Sequence, residues 1–357
     1  MILGINFNHD YAYCLIDGDH VYLREEERRS RLRYHFNETS YTLSILDDFS
    51  VEELRQIEAI YMSSPRIFFV ERKGGDLSSA NREYTYVGEY LRKYDYKKYT
   101  TYGKIVVEGI EIPAAWVLHH YSHAASTFWT SPYERSDIMV LDGGGDCGYG
   151  AWFTGEQDDI QLHEQYINVM LGLSYTNFSQ KVYQTNSGMY ESKVMAIASY
   201  GDKNLSRRQY LRDGNSLNAF PHQKISIHDI ARFQHDFEQA ALKLAEKGKT
   251  DNEYLCCAGG CFLNVGLNRV MAESGLYKGI FIPPYTGDMG TALGCALVAC
   301  NDLGRTPPPR EKLRSPFLGD AIDIDQEGIE KLIRQAGDEP LVVDSAPYNG
   351  QKEMVLT

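Results

Sequence analysis

Apolar and polar positions at the start of the chain fall into short alternating runs. Residues 2–7 (ILGINF) form an apolar stretch, Asn8-His9-Asp10 reads as a turn, and residues 11–17 (YAYCLID) read as a second strand. Gly18-Asp19 makes another turn before a third predicted strand at His20-Val21-Tyr22-Leu23. The pattern returns at Asp137. Residues 137–141 (DIMVL) lead into Asp142-Gly143-Gly144-Gly145-Asp146, a strand follows at 148–153 (GYGAWF), Gly155 turns the chain, and a polar strand is expected near 160–167. One such meander is common. Two copies, each followed by helical text, predict two related α/β lobes with a cleft between them.

The remaining text supports that outline. Residues 50–56 (SVEELRQ) open with a Ser cap and a Glu three residues on, a capping-box start. Residues 57–62 (IEAIYM) read as a buried strand, and residues 254–258 (YLCCA) as another that ends at Gly259-Gly260. Residues 228–247 place Ile230, Phe233, Phe237, Ala241 and Leu244 at helical spacing. The segment 65–110 is irregular, with tyrosines at 84, 86, 90, 94, 96, 99 and 102. It reads as a packed insertion or, through its aromatic faces, as the contact for a ring-containing substrate. The expected division is a first lobe over 1–135 with this insertion, a second over 136–310, and a C-terminal segment over 311–357.

Composition narrows the class. With 36 basic and 49 acidic residues among 357, the formal charge of −13 argues against a broad nucleic-acid footprint or an anionic membrane surface. No run of 18 apolar residues occurs and no signal peptide is visible at the start, so a membrane partner is not expected. Seven cysteines, several in apolar stretches, fit reduced thiols in the cytoplasm better than a disulfide framework.

The chemistry gathers at element ends. His119 and His123, four residues apart in Leu-His-His-Tyr-Ser-His, share one face of a helix and can chelate one metal. His120 points elsewhere. Asp142 ends an apolar strand, and Asp288 lies between the strand-like GIFI and the helical TALGCALVAC; each reads as a ligand, a helix cap or a turn former. As a set, two histidines and two carboxylates make an N/O site suited to iron, zinc or manganese. Two glycine turns, Gly143-Gly144-Gly145 and Gly259-Gly260, follow strands and offer backbone that phosphates can approach closely, though neither matches a Walker loop or a G-x-G-x-x-G fingerprint. With the duplicated meander they resemble the actin/sugar-kinase/Hsp70 nucleotide fold, whose duplicated ribonuclease-H-like lobes grip a nucleotide between them.

Six blocks then carry a closer resemblance: His9-Asp10, HHYSHAAS at 119–126, LDGGGD at 141–146, ESKVMAIASYG at 191–201, CAGGCFLN at 257–264 and PPYTGDMGTALGCAL at 283–297. In this order they are similar to the O-carbamoyltransferases of the nodulation and cephamycin-biosynthesis type. That family shares its N-terminal fold with the ATPase that makes threonylcarbamoyladenosine on tRNA. The resemblance implies transfer of a carbamoyl group from carbamoyl phosphate, through a carbamoyl-adenylate made with ATP, to an alcohol. It implies His119, His123 and Asp288 as metal ligands with Asp142 as a fourth ligand or neighbour, Fe2+ being the expected ion. Gly143, Gly144, Gly259, Gly260 and Asn264 would line the nucleotide, and Lys193 would pair with phosphate or the carbamoyl oxygen. His9, in the first turn, is the candidate base for the acceptor hydroxyl, or a further metal neighbour.

Two positions depart from the family pattern. Leu118 stands where a Glu often precedes the histidine pair, and Arg33, in EEERRSRLRYHF, stands where a lysine is usual. Arg33 keeps the charge and phosphate pairing but cannot act as an amine base; alternatively the block is a solvated surface. Beyond Leu297 come a Pro-rich stretch and a helix expected near 325–336. Nothing in 320–357 offers the basic, glycine-rich site of the family's adenylate-forming domain, so 311–357 reads as the start of a missing domain of that kind, and a C-terminal or separate adenylate-forming partner is expected. The other readings are a tRNA-modifying enzyme of the same fold, a non-catalytic nucleotide-binding partner, and a small-molecule kinase, which would not call for the histidine pair.

Overall fold

Three hydrogen-bonded strands open the chain: β1 (Ile2–Asn6), β2 (Ala12–Asp17) and β3 (His20–Glu25), an antiparallel meander. This computed structural model describes residues 1–7, 9–31, 44–63, 76–78, 82–88, 99–145, 148–185, 190–212, 215–216 and 225–319. Short helices α1 (Glu27–Ser30) and α2 (Val51–Leu54) precede β4 (Ala59–Ser63), which pairs in parallel with β1. The expected Ser50–Glu53 capping box starts α2, but the helix runs only four residues. Next come β5 (Asp76–Ser78), β6 (Glu83–Gly88), β7 (Thr100–Val107) and β8 (Ile110–Val117), completing a sheet of order β3-β2-β1-β4-β8-β7-β6-β5.

Helix α3 (His119–Phe128) leads to the second meander, β9 (Arg135–Leu141), β10 (Gly150–Glu156) and β11 (Asp159–Gln165). Then follow α4 (Leu171–Tyr183), α5 (Glu191–Ala198), the two-residue strands β12 (Leu211–Arg212) and β13 (Asn215–Ser216), and α6 (Ile227–Gly248). The chain continues through β14 (Tyr254–Ala258), α7 (Val265–Glu273), β15 (Gly279–Phe281), α8 (Met289–Asp302) and α9 (Arg310–Leu313). The second sheet has the order β11-β10-β9-β14-β15. It repeats β3-β2-β1-β4-β8 strand for strand, with the same parallel pairs, β9 with β14 and β14 with β15 answering β1 with β4 and β4 with β8. The chain therefore has the duplicated ribonuclease-H-like α/β architecture of the actin/sugar-kinase/Hsp70 type.

The helices that follow each sheet cross over. α3 leaves the first sheet yet packs on β9, β10 and β14, while α8 leaves the second sheet and packs on β1, β2 and β4. The two helices also meet each other. A β-carbon at Gly294 would stand 1.9 Å from the Ser122 carbonyl oxygen, so this backbone approach requires glycine. On β9 the side-chain alternation sorts two cores: Ile138 and Val140 join the one around α3 and α8, and Met139 and Leu141 join the one under α4 and α6. α6 buries Ile230, Phe233, Phe237 and Ala241 as its spacing predicts, and Ser226 and Asp229 form its capping box.

The first sheet's extension is where the sequence reading and the structure differ. β7 and β8 form a hairpin through Glu108 and Gly109, both left-handed at φ 48° and 75°, a turn that suits strand twist. Tyr84 and Tyr86 are buried on β6, and the Tyr99 ring stacks on Tyr121 at 4.5 Å, so these three tyrosines serve packing. Tyr90, Tyr94 and Tyr96 lie outside the described residues, as do Arg33 and the helix expected near 325–336. Past α8 the chain returns to the first sheet, where the Leu23 N–H donates to the Leu318 carbonyl at 2.6 Å. Six described cysteines are buried and unbridged. Among the described residues no helix is long and apolar enough to cross a membrane.

Candidate functional site

The site lies where the central parallel strands end, the usual place for a ligand in an open α/β sheet. Two equivalent points of each lobe contribute. The β1–β2 turn carries His9 and the β9–β10 turn carries Asp142; the first residue of α3 is His119 and the residue before α8 is Asp288. His123 follows one helical turn after His119, and their rings meet edge to face at 4.7 Å. His119 Nε2 lies 2.9 Å from Asp142 Oδ2 and 3.5 Å from Asp288 Oδ1. His123 Nε2 lies 3.4 Å from Asp288 Oδ1 and 3.9 Å from Asp142 Oδ2. One ligand atom from each of the four lies within 4.8 Å of all the others, and all four residues are buried.

The alternative role of each aspartate can now be judged. Asp288 makes no side-chain cap to α8, so its carboxylate is turned to the histidines rather than to the helix. Asp142 Oδ1 accepts the Gly260 N–H at 3.0 Å while Oδ2 faces His119. Burial alone would raise both carboxyl pKa values, yet the histidines facing them hold both below the ordinary range. For His119, burial pulls down, but the Asp288 and Asp142 charges prevail and hold it well above the ordinary value. Neither ring nitrogen of fully buried His123 has a hydrogen-bond partner among the described residues. Without a metal, two buried carboxylates rely on protonated histidines for compensation, and the buried His123 ring has only a long contact to Asp288. A dication matches both needs, so the donor set fits a metal.

The other sequence candidates sit as follows. His9 is half-exposed, with Nδ1 3.0 Å from Asp10 Oδ2 and Nε2 3.4 Å from Asp288 Oδ2. The Asp288 carboxylate pushes its pKa up to about 9 against the effect of burial. His120 is turned away as expected; burial and the neighbouring His119 push it down to about 3. Gly143 and Gly144 have ordinary φ, and a β-carbon on Gly143 would meet no described atom within 4 Å. Gly259 is different, with φ 99° and a β-carbon that would stand 2.2 Å from the Leu141 carbonyl oxygen. Asn264 caps α7 through the Leu267 N–H and exchanges hydrogen bonds with Gln234, so its buried side chain is taken up by the protein. Lys193 is exposed on α5, its ammonium 5.1 Å from the Tyr190 ring centroid.

Sequence reasoning missed two contributors. Ser63, the last residue of β4, places Oγ 3.3 Å from His119 Nδ1. Asn6, at the end of β1, donates to the carbonyls of His9 and Asp10 and pins that turn, where Asp10 is left-handed at φ 57°. A polar residue ending an otherwise apolar strand is the signal both share with Asp142.

The profile of the family described as Carbamoyltransferase N-terminus matches residues 1–247 and 221–297. The chain belongs to this carbamoyltransferase family. His9, His119, His123 and Asp142 fall in the first matched stretch and Asp288 in the second. The chain is 27% identical over 367 residues to nodulation protein NolNO of Sinorhizobium fredii, covering 93% of this chain and 52% of that protein. It is 31% identical over 237 residues to nodulation protein NolO of Bradyrhizobium diazoefficiens, covering 58% and 42%. It thus spans about half the length of the curated relatives it matches. Among solved structures, HypF of T. kodakarensis aligns with a TM-score of 0.48 at 14% identity, over 85% of this chain and 48% of that one. Component A of the Acidaminococcus fermentans (R)-2-hydroxyglutaryl-CoA dehydratase aligns at 0.47 and 12%, over 85% and 99%.

Proposed function

We propose that this chain is the transfer domain of a metal-dependent O-carbamoyltransferase. It moves a carbamoyl group from carbamoyl-adenylate, made from carbamoyl phosphate and ATP, to a hydroxyl of a natural product or sugar. The observation that carries this reading is the buried His119, His123, Asp142 and Asp288 cluster beside the Gly143-Gly144 turn, in a chain of the carbamoyltransferase family. A divalent cation held by these four, Fe2+ first with Zn2+ or Mn2+ as alternatives, would polarise the carbamoyl carbonyl and offset the charge of the departing phosphate.

The protein's own groups supply the rest. Gly143 and Gly144 leave room for the phosphate of the donor. Leu263 and Val265, exposed beside the second glycine turn, offer apolar surface for the base. In transfer, the acceptor oxygen attacks the carbamoyl carbon, the bond from that carbon to the phosphate oxygen breaks, and AMP leaves. The acceptor's proton passes to His9. A cation held by Asp288 would offset the charge that keeps His9 protonated, leaving Nε2 able to accept it. Lys193 and Arg33 are assigned to the phosphate or carbamoyl oxygen on the family resemblance alone. A further adenylate-forming domain, attached or separate, supplies the donor. The buried thiols fit a cytoplasmic setting.

The test supplies metal-loaded protein with carbamoyl-adenylate and a panel of alcohols, and follows AMP release and carbamate formation. Transfer should fall at least 100-fold in His9→Ala while metal content is kept. Hydrolysis to AMP with no carbamate on any alcohol, or full activity in His9→Ala, would contradict the assignment.

A further inference from the structure

The four side chains of the cluster are not held alike. Gly260 N–H braces Asp142, and the neighbouring His9 faces Asp288. His123 Nε2 faces the two carboxylates, 3.4 Å from Asp288 Oδ1, and its ring packs edge to face on His119. His119 is different. Its Nε2 faces the two carboxylates while its Nδ1 lies 3.3 Å from Ser63 Oγ, on a different element.

The sheet delivers that contact. β4 lies between β1 and β8 in the middle of the first sheet, and Ser63 is the register partner of Val117, two residues before His119. Ser63 is 1% exposed, so its hydroxyl has no bulk water to compete for the ring. The opposite edge of the imidazole approaches the β9–β10 turn, where a side chain at Gly145 would crowd it, a β-carbon there standing 3.0 Å from His119 Cδ2.

We propose that Ser63 is a positioning residue for metal binding: its oxygen accepts the Nδ1 proton of His119, which fixes the tautomer and leaves the Nε2 lone pair for the cation. The inference rests on the metal reading above. The physical reason is general. A ligating imidazole must present an unprotonated nitrogen, and an acceptor on the opposite nitrogen keeps the proton there and makes the ligating nitrogen more basic. Among the described residues, the groups facing Nε2 are themselves ligands, whereas Ser63 Oγ lies against Nδ1. In Ser63→Ala the Nδ1 proton is left without this buried acceptor, which costs affinity rather than fold.

The test is a Zn2+ dissociation constant, measured by chelator competition on the full chain for wild type, Ser63→Ala and Ser63→Thr, with thermal unfolding of the chelated proteins alongside. Ser63→Ala should weaken Zn2+ binding by about 10- to 100-fold, the range seen on loss of such a partner. Ser63→Thr, which keeps the oxygen, should recover most of it, and the metal-free melting temperatures should stay together. Ring 15N spectra of the Zn2+-loaded wild type should show Nδ1 of His119 protonated. Wild-type affinity in Ser63→Ala, or a proton on Nε2, overturns the Ser63 role and leaves the metal reading standing. Absence of Zn2+ binding by the wild type overturns both.

Discussion

Two glycine-rich turns follow neighbouring strands of the second sheet, β9 and β14, and they use glycine for opposite reasons. At Gly259 the backbone is left-handed and the next chain atom, the Leu141 carbonyl, is too near for any side chain. Gly260 sits tight against Asp142, a β-carbon there standing 3.0 Å from Oδ1, and donates its N–H to the same oxygen. This turn is built to hold the protein's own carboxylate. At Gly143 and Gly144 neither φ nor described neighbours demand glycine. Under the proposed function, this open backbone is where the donor's phosphate would lie. The comparison separates glycines that the fold requires from glycines that it leaves open.

The contrast can be broken by substitution. Gly259→Ala should cost about 3 kcal/mol in urea unfolding, since it meets both a left-handed φ and a backbone contact. A loss below about 1 kcal/mol would show that the turn relaxes easily. Asn264→Ala should cost about 1–2 kcal/mol, the value of a helix cap, and leave nucleotide affinity untouched because the side chain is engaged by Leu267 and Gln234. A large fall in nucleotide affinity with unchanged stability would restore it to the nucleotide site. Gly143→Ala should leave stability within about 0.5 kcal/mol and weaken donor binding roughly tenfold. Equal loss of stability in Gly143→Ala and Gly259→Ala would erase the distinction.

The smallest effect concerns protons. In chelated protein the folded-state pKa of His9 is raised to about 9, and that of His119 is raised as well, above the ordinary 6.5. Their contribution to stability is thus complete below pH 6.5 and is lost as pH rises through the raised values. Melting temperature of the chelated chain should decline from pH 6.5 to 9, modestly because His9 is half-exposed. Metal-loaded protein should show no such decline, since the cation takes over the compensation of the carboxylates. Parallel pH profiles for the two forms would contradict this.

Much of this was legible in the sequence because the relevant signals are local. Each meander is a run of alternating residues with turn chemistry between, and the four-residue spacing of His119 and His123 puts them on one helical face. Asp142 was visible as a carboxylate at the end of an apolar strand. The β7–β8 hairpin was hidden because its turn is Glu108-Gly109 rather than the stronger Asn-Gly or Asp-Gly signal, whereas the packed-insertion reading holds for Tyr84, Tyr86 and Tyr99. Ser63 could not be found that way. Its importance comes from the parallel register of β4 with β8, which joins residues 56 positions apart. The same holds for the exchange of α3 and α8 between sheets, which brings Asp288 beside the histidines and which no short window records.

The central claim is that His119, His123, Asp142 and Asp288 hold one divalent cation. Its most direct test is elemental analysis of the purified chain and of Asp288→Asn, with circular dichroism to confirm that both are folded. The account predicts about one metal ion per wild-type chain and loss of most of it in the variant. Equal metal content in two folded proteins, or a folded wild type that takes up no Fe2+, Zn2+ or Mn2+ when supplied, would contradict it.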